Sequence, residues 1–284
     1  YFDWAHGPLH RSRQNAYLSW LKNIAPETYD KIFPRQANPD DTKIPASQRS
    51  AVCDLPDHLS FNTWVGQQAQ QHLSEEPFFG IASFVVGQSM GASSTIVEPL
   101  DLRALHQADA ALAAILQALP KNTVVTVTSG RGNADDAATP FPLQEAAIKV
   151  PLLVCPPGPT TRTIRQAVST IDIAPTLYEL ANIRSPQRIQ GNSLISAPPR
   201  GWSLSRLRHP DMPHQSALVS RRWKLVTTHG APGMQLYDIQ ADPEETQNLA
   251  RAPGRQADLE AMLDLMIDAR VALEDRTEPR IAKF

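Results

Sequence analysis

The sequence predicts an α/β fold in which a mostly parallel sheet flanked by helices is followed by a small antiparallel sheet with one packed helix. Three observations carry this. Between residues 78 and 180, apolar runs rich in β-branched residues alternate with segments of helical period, the pattern of strand–helix–strand units. After about residue 186 the chain turns to short alternating segments divided by Gly and Pro. Its last long stretch puts Leu259, Met262, Leu263, Met266 and Ile267 on one helical face. The expected division is 1–185 for the α/β core and 186–284 for the smaller α+β unit.

Residues 1–57 read as irregular and polar, with a helical patch near Gln14–Leu21 and a proline-rich excursion from Arg35 to Pro56. Phe61, Trp64, Val65, Gln68 and His72 form a helical stripe that ends near Ser74, before Glu76–Pro77. Phe78–Val86 is apolar throughout and reads as a strand covered on both faces. Pro99 opens a helix with Asp101 in its first turn. Its apolar face is Leu105, Ala108, Leu112, Ile115, Leu116 and Leu119, and Pro120 stops it. Thr123–Thr128 is a β-branched strand. A loop, a short helix over Leu143–Ile148 and a strand over Val150–Cys155 follow, and Ile171–Pro175 then leads into a helix through Leu180. Ser216–Ser220, Trp223–Thr227 and Met234–Asp238 are the strands expected in the second unit.

The chain has 284 residues, 27 basic against 29 acidic, and a net charge of −2. That length buries a sizeable core, and the balance excludes a nucleic-acid binder built on clustered Lys and Arg. No apolar run is long enough for a membrane-spanning helix. Cys53 and Cys155 stand about a hundred residues apart, which makes a disulfide scaffold the weaker reading and permits a reducing, cytoplasmic compartment. Both thiols are expected to be buried and inert. The sequence starts at Tyr1 with no basic-then-apolar signal pattern, and a processed or partial chain is the expectation.

Several ordered motifs resemble the sulfatase branch of the alkaline phosphatase superfamily, from about Tyr1 to Met266. The stretch Thr123–Ser129, a loop, then Glu145 with Lys149–Val150–Pro151–Leu152 resembles that family's metal-site strand and the segment after it. Asp172–Ile173–Ala174–Pro175–Thr176–Leu177 and Gln190–Gly191–Asn192–Ser193–Leu194 resemble its next two signatures. Trp223–Lys224–Leu225, Leu236–Tyr237–Asp238 and Asp242–Leu249 resemble its C-terminal signature. Leu236, Tyr237, Pro151 and the Asp242–Asn248 stretch read as core and capping residues rather than catalysts. The resemblance implies the C-terminal part of an alkaline-phosphatase-like fold. It also implies an ancestral sulfuric ester hydrolase that used a divalent cation, usually calcium, and a formylglycine.

The chemistry that such a hydrolase needs is missing from this sequence. Cys53 is followed by Asp54–Leu55–Pro56–Asp57 and Cys155 by Pro156–Pro157–Gly158–Pro159, so neither matches the formylglycine motif. Where the family places a metal-binding acid and its His or Asn neighbour, this chain has Ser129–Gly130–Arg131–Gly132. The family's Lys falls on Pro140, which donates nothing, and its His falls on Gln88. Asp135 and Asp136 read as a solvated loop pair. A His6–His10 metal pair is disfavoured by Gly7–Pro8, and the other histidines, His214 and His229 among them, look scattered.

No catalytic residue, metal site or bound cofactor is therefore expected, and Gln88, Ser129, Gly130, Arg131 and Pro140 are at most anion contacts. The expected reading is a pseudosulfatase or truncated chain. The alternatives are an active sulfate or phosphonate ester hydrolase whose N-terminal half is missing, and an anion-binding or scaffold module. The expected partners are that N-terminal half or a second copy meeting an exposed sheet edge, with no nucleic acid and no membrane.

Overall fold

The computed structural model describes residues 16–33, 55–73, 77–86, 102–132, 143–159, 161–186, 189–209, 212–230 and 233–273. The chain divides into two compact units, 1–121 and 122–284.

The first unit is helical. Helices α1 (Ala16–Ile24) and α2 (Pro26–Ile32) precede α3 (Phe61–His72) and α4 (Leu102–Ala118). Ser60 caps α3 by accepting the Thr63 amide at 3.1 Å, a bond of the kind that contributes about 1 kcal/mol. Tyr17, Leu18, Leu21, Leu55, Leu59 and Trp64 form one buried cluster, and the Tyr17 hydroxyl donates to the Leu59 carbonyl at 2.7 Å. Helix α4 meets α3 at Gly66, where an added Cβ would lie 2.8 Å from that of Ala111. Small residues set this crossing, so the buried stripe of α4 is Ala108, Ala111 and Ile115. Leu105 and Leu116, expected inside, are 40% and 46% exposed.

Phe78–Val86 corrects the expectation of a covered strand. It runs without strand pairing, and Phe79 and Ile81 are 79% and 80% exposed. Among the described residues nothing lies beside it as a strand. It is held at one end instead: buried Asn62 accepts the Val85 amide and donates to the Val85 carbonyl, each at 2.9 Å. An apolar run identifies a segment that can be buried, while a strand also needs a neighbour to bond its backbone.

The second unit holds both sheets. Strand β1 (Val125–Thr128), α5 (Glu145–Ile148), β2 (Leu152–Cys155) and α6 (Ile173–Leu180) come first. β1 and β2 pair antiparallel, with Val125 opposite Cys155, whereas their alternation with helices predicts parallel pairing. The connection runs through the single turn of α5, too short for a helix that carries the chain back along a sheet face. Cys155 is exposed, not buried.

The C-terminal antiparallel sheet with its helix is present as expected. Its strands are β3 (Ser203–His209), β4 (Met212–Val219), β5 (Trp223–Thr228) and β6 (Met234–Asp238), in that order, followed by α7 (Gln256–Ala272). One sheet face packs on α7 through Leu218, Leu225 and Leu236, against Leu259, Met262, Met266 and Ala269. Each such leucine contributes about 1.5–3 kcal/mol. Ile267, expected on that face, is 60% exposed. The opposite face, with Ala217, Val226 and Tyr237, covers Leu143 and Ile148 beside α5.

Candidate functional site

Three of the five family positions come together at the end of β1; Gln88 and Pro140 lie outside the described residues, as do Asp135, Asp136, Cys53, His6 and His10. The Ser129 hydroxyl donates to the Arg131 carbonyl at 2.5 Å. The Gly132 amide donates to the Ala147 carbonyl at 2.8 Å, fastening the loop to α5.

The two loop glycines have different reasons for being glycine. A Cβ on Gly132 would sit 2.1 Å from the Ala146 carbonyl oxygen and 2.9 Å from that of Lys149. Only a hydrogen fits there. Among the described residues a Cβ on Gly130 would meet nothing within 4 Å, so these leave room for an acidic side chain at the position where this chain carries none. Packing does not force its absence.

A hard dication takes six to eight oxygen ligands from carboxylates, carbonyls and water. The loop offers one hydroxyl already bonded to its own backbone, a residue with no side chain, and a guanidinium that carries permanent charge. The residues present do not fit calcium. Cys155 is the one cysteine among the described residues; it is an exposed strand terminus that runs into prolines and does not fit a formylglycine precursor.

Behind the loop, α5 is anchored by a buried charge cluster. Glu245 accepts the Glu145 amide on Oε2 at 2.9 Å. Its Oε1 lies 2.5 Å from the Lys224 Nζ, and Glu145 Oε1 lies 3.7 Å from the same ammonium. The Lys224 side chain is fully buried and that of Glu245 nearly so. Charge attraction holds the close pair in this buried setting. Burial pushes the Glu145 carboxyl above its ordinary value; Lys224 pulls it back and Glu245 pushes it further up. Burial likewise raises the Tyr237 hydroxyl, with Glu245 and Asp242 adding to the effect. Glu245 has a φ of +56°, a left-handed conformation that costs a non-glycine residue about 1–3 kcal/mol. The ion pair and the Glu145 amide hold it there.

The other family-like motifs also resolve into architecture. Asp172 accepts the Ser169 and Asn192 amides at 2.9 and 2.8 Å and pairs with half-buried Arg200 at 2.5 Å. Thr176 donates to the Asp172 carbonyl and accepts the Leu194 amide. Gly191 is the point of closest approach, since a Cβ there would stand 2.0 Å from the Ile171 carbonyl oxygen. Asp242 accepts the Gln247 and Thr246 amides, and these bonds, Gln247 first, hold its carboxyl below the ordinary range. Leu236 and Tyr237 are buried and Asn248 accepts the Leu236 amide, all structural as expected, while Pro151 is exposed rather than part of the core.

Sequence reasoning singled out Ser129, Gly130 and Arg131 but passed over Gly132, Glu145 and Lys224 as agents of position. A cue was available for Lys224: a lysine between Trp223 and Leu225 in an apolar strand calls for a buried partner.

Comparison with known proteins gives the same frame. The family model for N-sulphoglucosamine sulphohydrolase, C-terminal, matches residues 142–199, the span of α5, β2, α6 and the Gly191 turn. Arylsulfatase K of Gallus gallus is 30% identical over 169 residues, which is 51% of this chain and 32% of that protein. The aligned region thus spans about a third of the length of that relative. The phosphonate monoester hydrolase of Silicibacter pomeroyi superposes with a TM-score of 0.53 at 23% identity, over 62% of this chain and 42% of that one. An alkaline phosphatase superfamily protein from Vibrio parahaemolyticus gives 0.52 at 15% identity, over 74% and 54%. These two likenesses concern the fold. The chain is thus similar over residues 142–199 to the C-terminal part of N-sulphoglucosamine sulphohydrolase, over about half its length to an arylsulfatase, and in fold to a phosphonate monoester hydrolase.

Proposed function

We propose that this chain is a pseudosulfatase: it keeps the framework of a sulfuric ester hydrolase and does not perform metal-assisted ester cleavage. The observation that supports the reading is the loop Ser129–Gly130–Arg131–Gly132. Ester cleavage at sulfur or phosphorus needs positive charge beside the developing negative charge of the ester oxygens, and a dication held by acidic oxygens supplies it. At residue 130 there is no acidic oxygen, although the described residues leave space for one. At residue 131 a guanidinium stands where a dication would need a neutral or negative donor; two such cations a few ångströms apart repel by several kcal/mol at a protein surface.

The test is hydrolysis of an aryl sulfate and a phosphonate monoester by the purified chain across a calcium titration. The expected result is no turnover that rises with calcium. Turnover that tracks calcium and disappears on chelation overturns the proposal. A Gly130→Asp, Arg131→Asn double variant that binds calcium, against no binding by the parent chain, would locate the deficit in these two residues.

A further inference from the structure

Along the C-terminal sheet, the face packed on α7 changes character as the helix ends. Leu204, Leu218 and Leu225 lie on that face beneath the helix. Two residues further along the strands, Arg206 stands opposite Ser216 and Ser216 opposite Thr227. Side chains two apart on a strand share a face, so His229 continues this row; Arg208 and His214 lie at a shift in register after Leu207 and line the same groove, and the His229 amide bonds the His214 carbonyl at 2.8 Å. Arg270, in the last turn of α7, closes the side and donates to the Thr227 hydroxyl at 3.4 Å. A groove of about 520 Å³ lies between them, lined by Arg206, Arg208, His214, Thr227, His229 and Arg270 among others. His214 and His229, scattered in the sequence, are thus brought together.

Among the described residues, no carboxylate lines this groove. Among the described residues, none of its three arginines forms an ion pair, whereas Arg103, Arg200, Arg222 and Arg255 each have an acidic partner. Arg206, Arg208, His214, His229 and Arg270 are all exposed. Three like charges thus converge on one concavity in a chain whose net charge is −2. The C-terminal dipole of α7 opposes an anion here with about half a charge, too little to cancel three guanidinium groups.

We propose that this groove binds a ligand carrying two or more sulfate or phosphate groups. Guanidinium groups present paired donors that match the oxygens of such anions, and the Ser216 hydroxyl lines the same groove as a further donor. The volume exceeds one oxoanion and the basic groups come from β3, β4, the residue after β5 and α7, so a single anion leaves part of the charge unanswered. The proposal stands apart from the reading of the Ser129–Gly132 loop.

The test is calorimetry of the full chain at low ionic strength with three probes: inorganic sulfate, tripolyphosphate and sucrose octasulfate. The expected result is binding of at least one polyanion, at least tenfold tighter than inorganic sulfate and weakening as salt screens the charges. The Arg206→Ala, Arg208→Ala double variant should lose tenfold or more in affinity with an unchanged melting temperature. Arg165→Ala, an exposed arginine outside the groove, should lose nothing. Which polyanion binds more tightly identifies the phosphate or the sulfate class. No heat from either polyanion at millimolar concentration overturns the proposal, as does an equal loss in the Arg165→Ala control. Equal affinity for inorganic sulfate overturns the requirement for two anionic groups.

Discussion

The loop Ser129–Gly132 and the Lys224–Glu245 cluster are both fastened to α5, and they differ in what they retain. The loop lacks the acidic group that would hold a metal but has Gly132, the residue that lets it approach α5. The cluster has both of its charges, although burying them is costly, because each neutralises the other and together they hold Glu145 at the start of α5. The difference teaches how to sort family-like residues by physical duty. A residue whose loss would leave a buried charge or a backbone clash is present; at Gly130, where the described residues leave open space, the chain carries no side chain.

The most severe way to break the comparison is at the cluster. Lys224→Ala leaves Glu245 buried and unpaired and should cost about 3–5 kcal/mol, read by denaturant unfolding. The Lys224→Met, Glu245→Gln double variant removes both charges and should recover most of that loss. If the single variant costs less than about 1 kcal/mol, the cluster is not what anchors α5.

Within the loop the comparison sharpens to two neighbouring glycines. Gly132→Ala should destabilise by about 1–3 kcal/mol, since its Cβ meets backbone that cannot move away cheaply. Gly130→Ala should stay within about 0.5 kcal/mol, as for an open surface position. Equal effects at the two positions would remove the distinction between mechanical and chemical loss.

The smallest effect is on pH dependence, where two groups of carboxyls act with opposite sign. Asp242 and Asp238 have values held below the ordinary 3.8, by the Gln247 and Thr246 amides and by Arg222 respectively. Their contribution is present above that value and is lost as pH falls through the depressed folded one. Glu145 is raised above 4.5, so the folded state binds its proton more tightly, and this contribution is lost as pH rises through the elevated value. Melting temperatures across pH 3–8 should therefore show Asp242→Asn flattening the acid limb and Glu145→Gln flattening the fall above about pH 4.5. A Glu145→Gln profile parallel to the parent would show that its burial is not felt in stability.

The legible parts of the fold are those whose signal is local. The helix expected from Phe61 to His72 and the strand Met234–Asp238 match the observed α3 and β6, because helical period and β-alternation are written within each segment. β3 was not foreseen: Ser203, Ser205, Arg206 and Arg208 leave too few apolar residues for an alternation to show. The face that makes β3 informative, with Arg206 in register with Ser216 and Thr227, exists only after the strands pair. For the site, the missing acid at residue 130 could be read directly from the order of residues after β1. The reason it matters could not, since only the three-dimensional surroundings show that one glycine is open and the next is crowded.

By itself, the sequence determined the resemblance to sulfatases, the strongly periodic segments and the absence of a carboxylate from Ser129–Gly132, because motif order and residue chemistry survive without coordinates. Tertiary structure alone decided that β1 and β2 run antiparallel, that Phe79 and Ile81 stay exposed, and that Lys224 meets Glu245 across twenty residues of intervening chain. Pairing direction, burial and charge partnership are properties of neighbours in space. A chain lists its neighbours in order only, and packing brings the distant ones together.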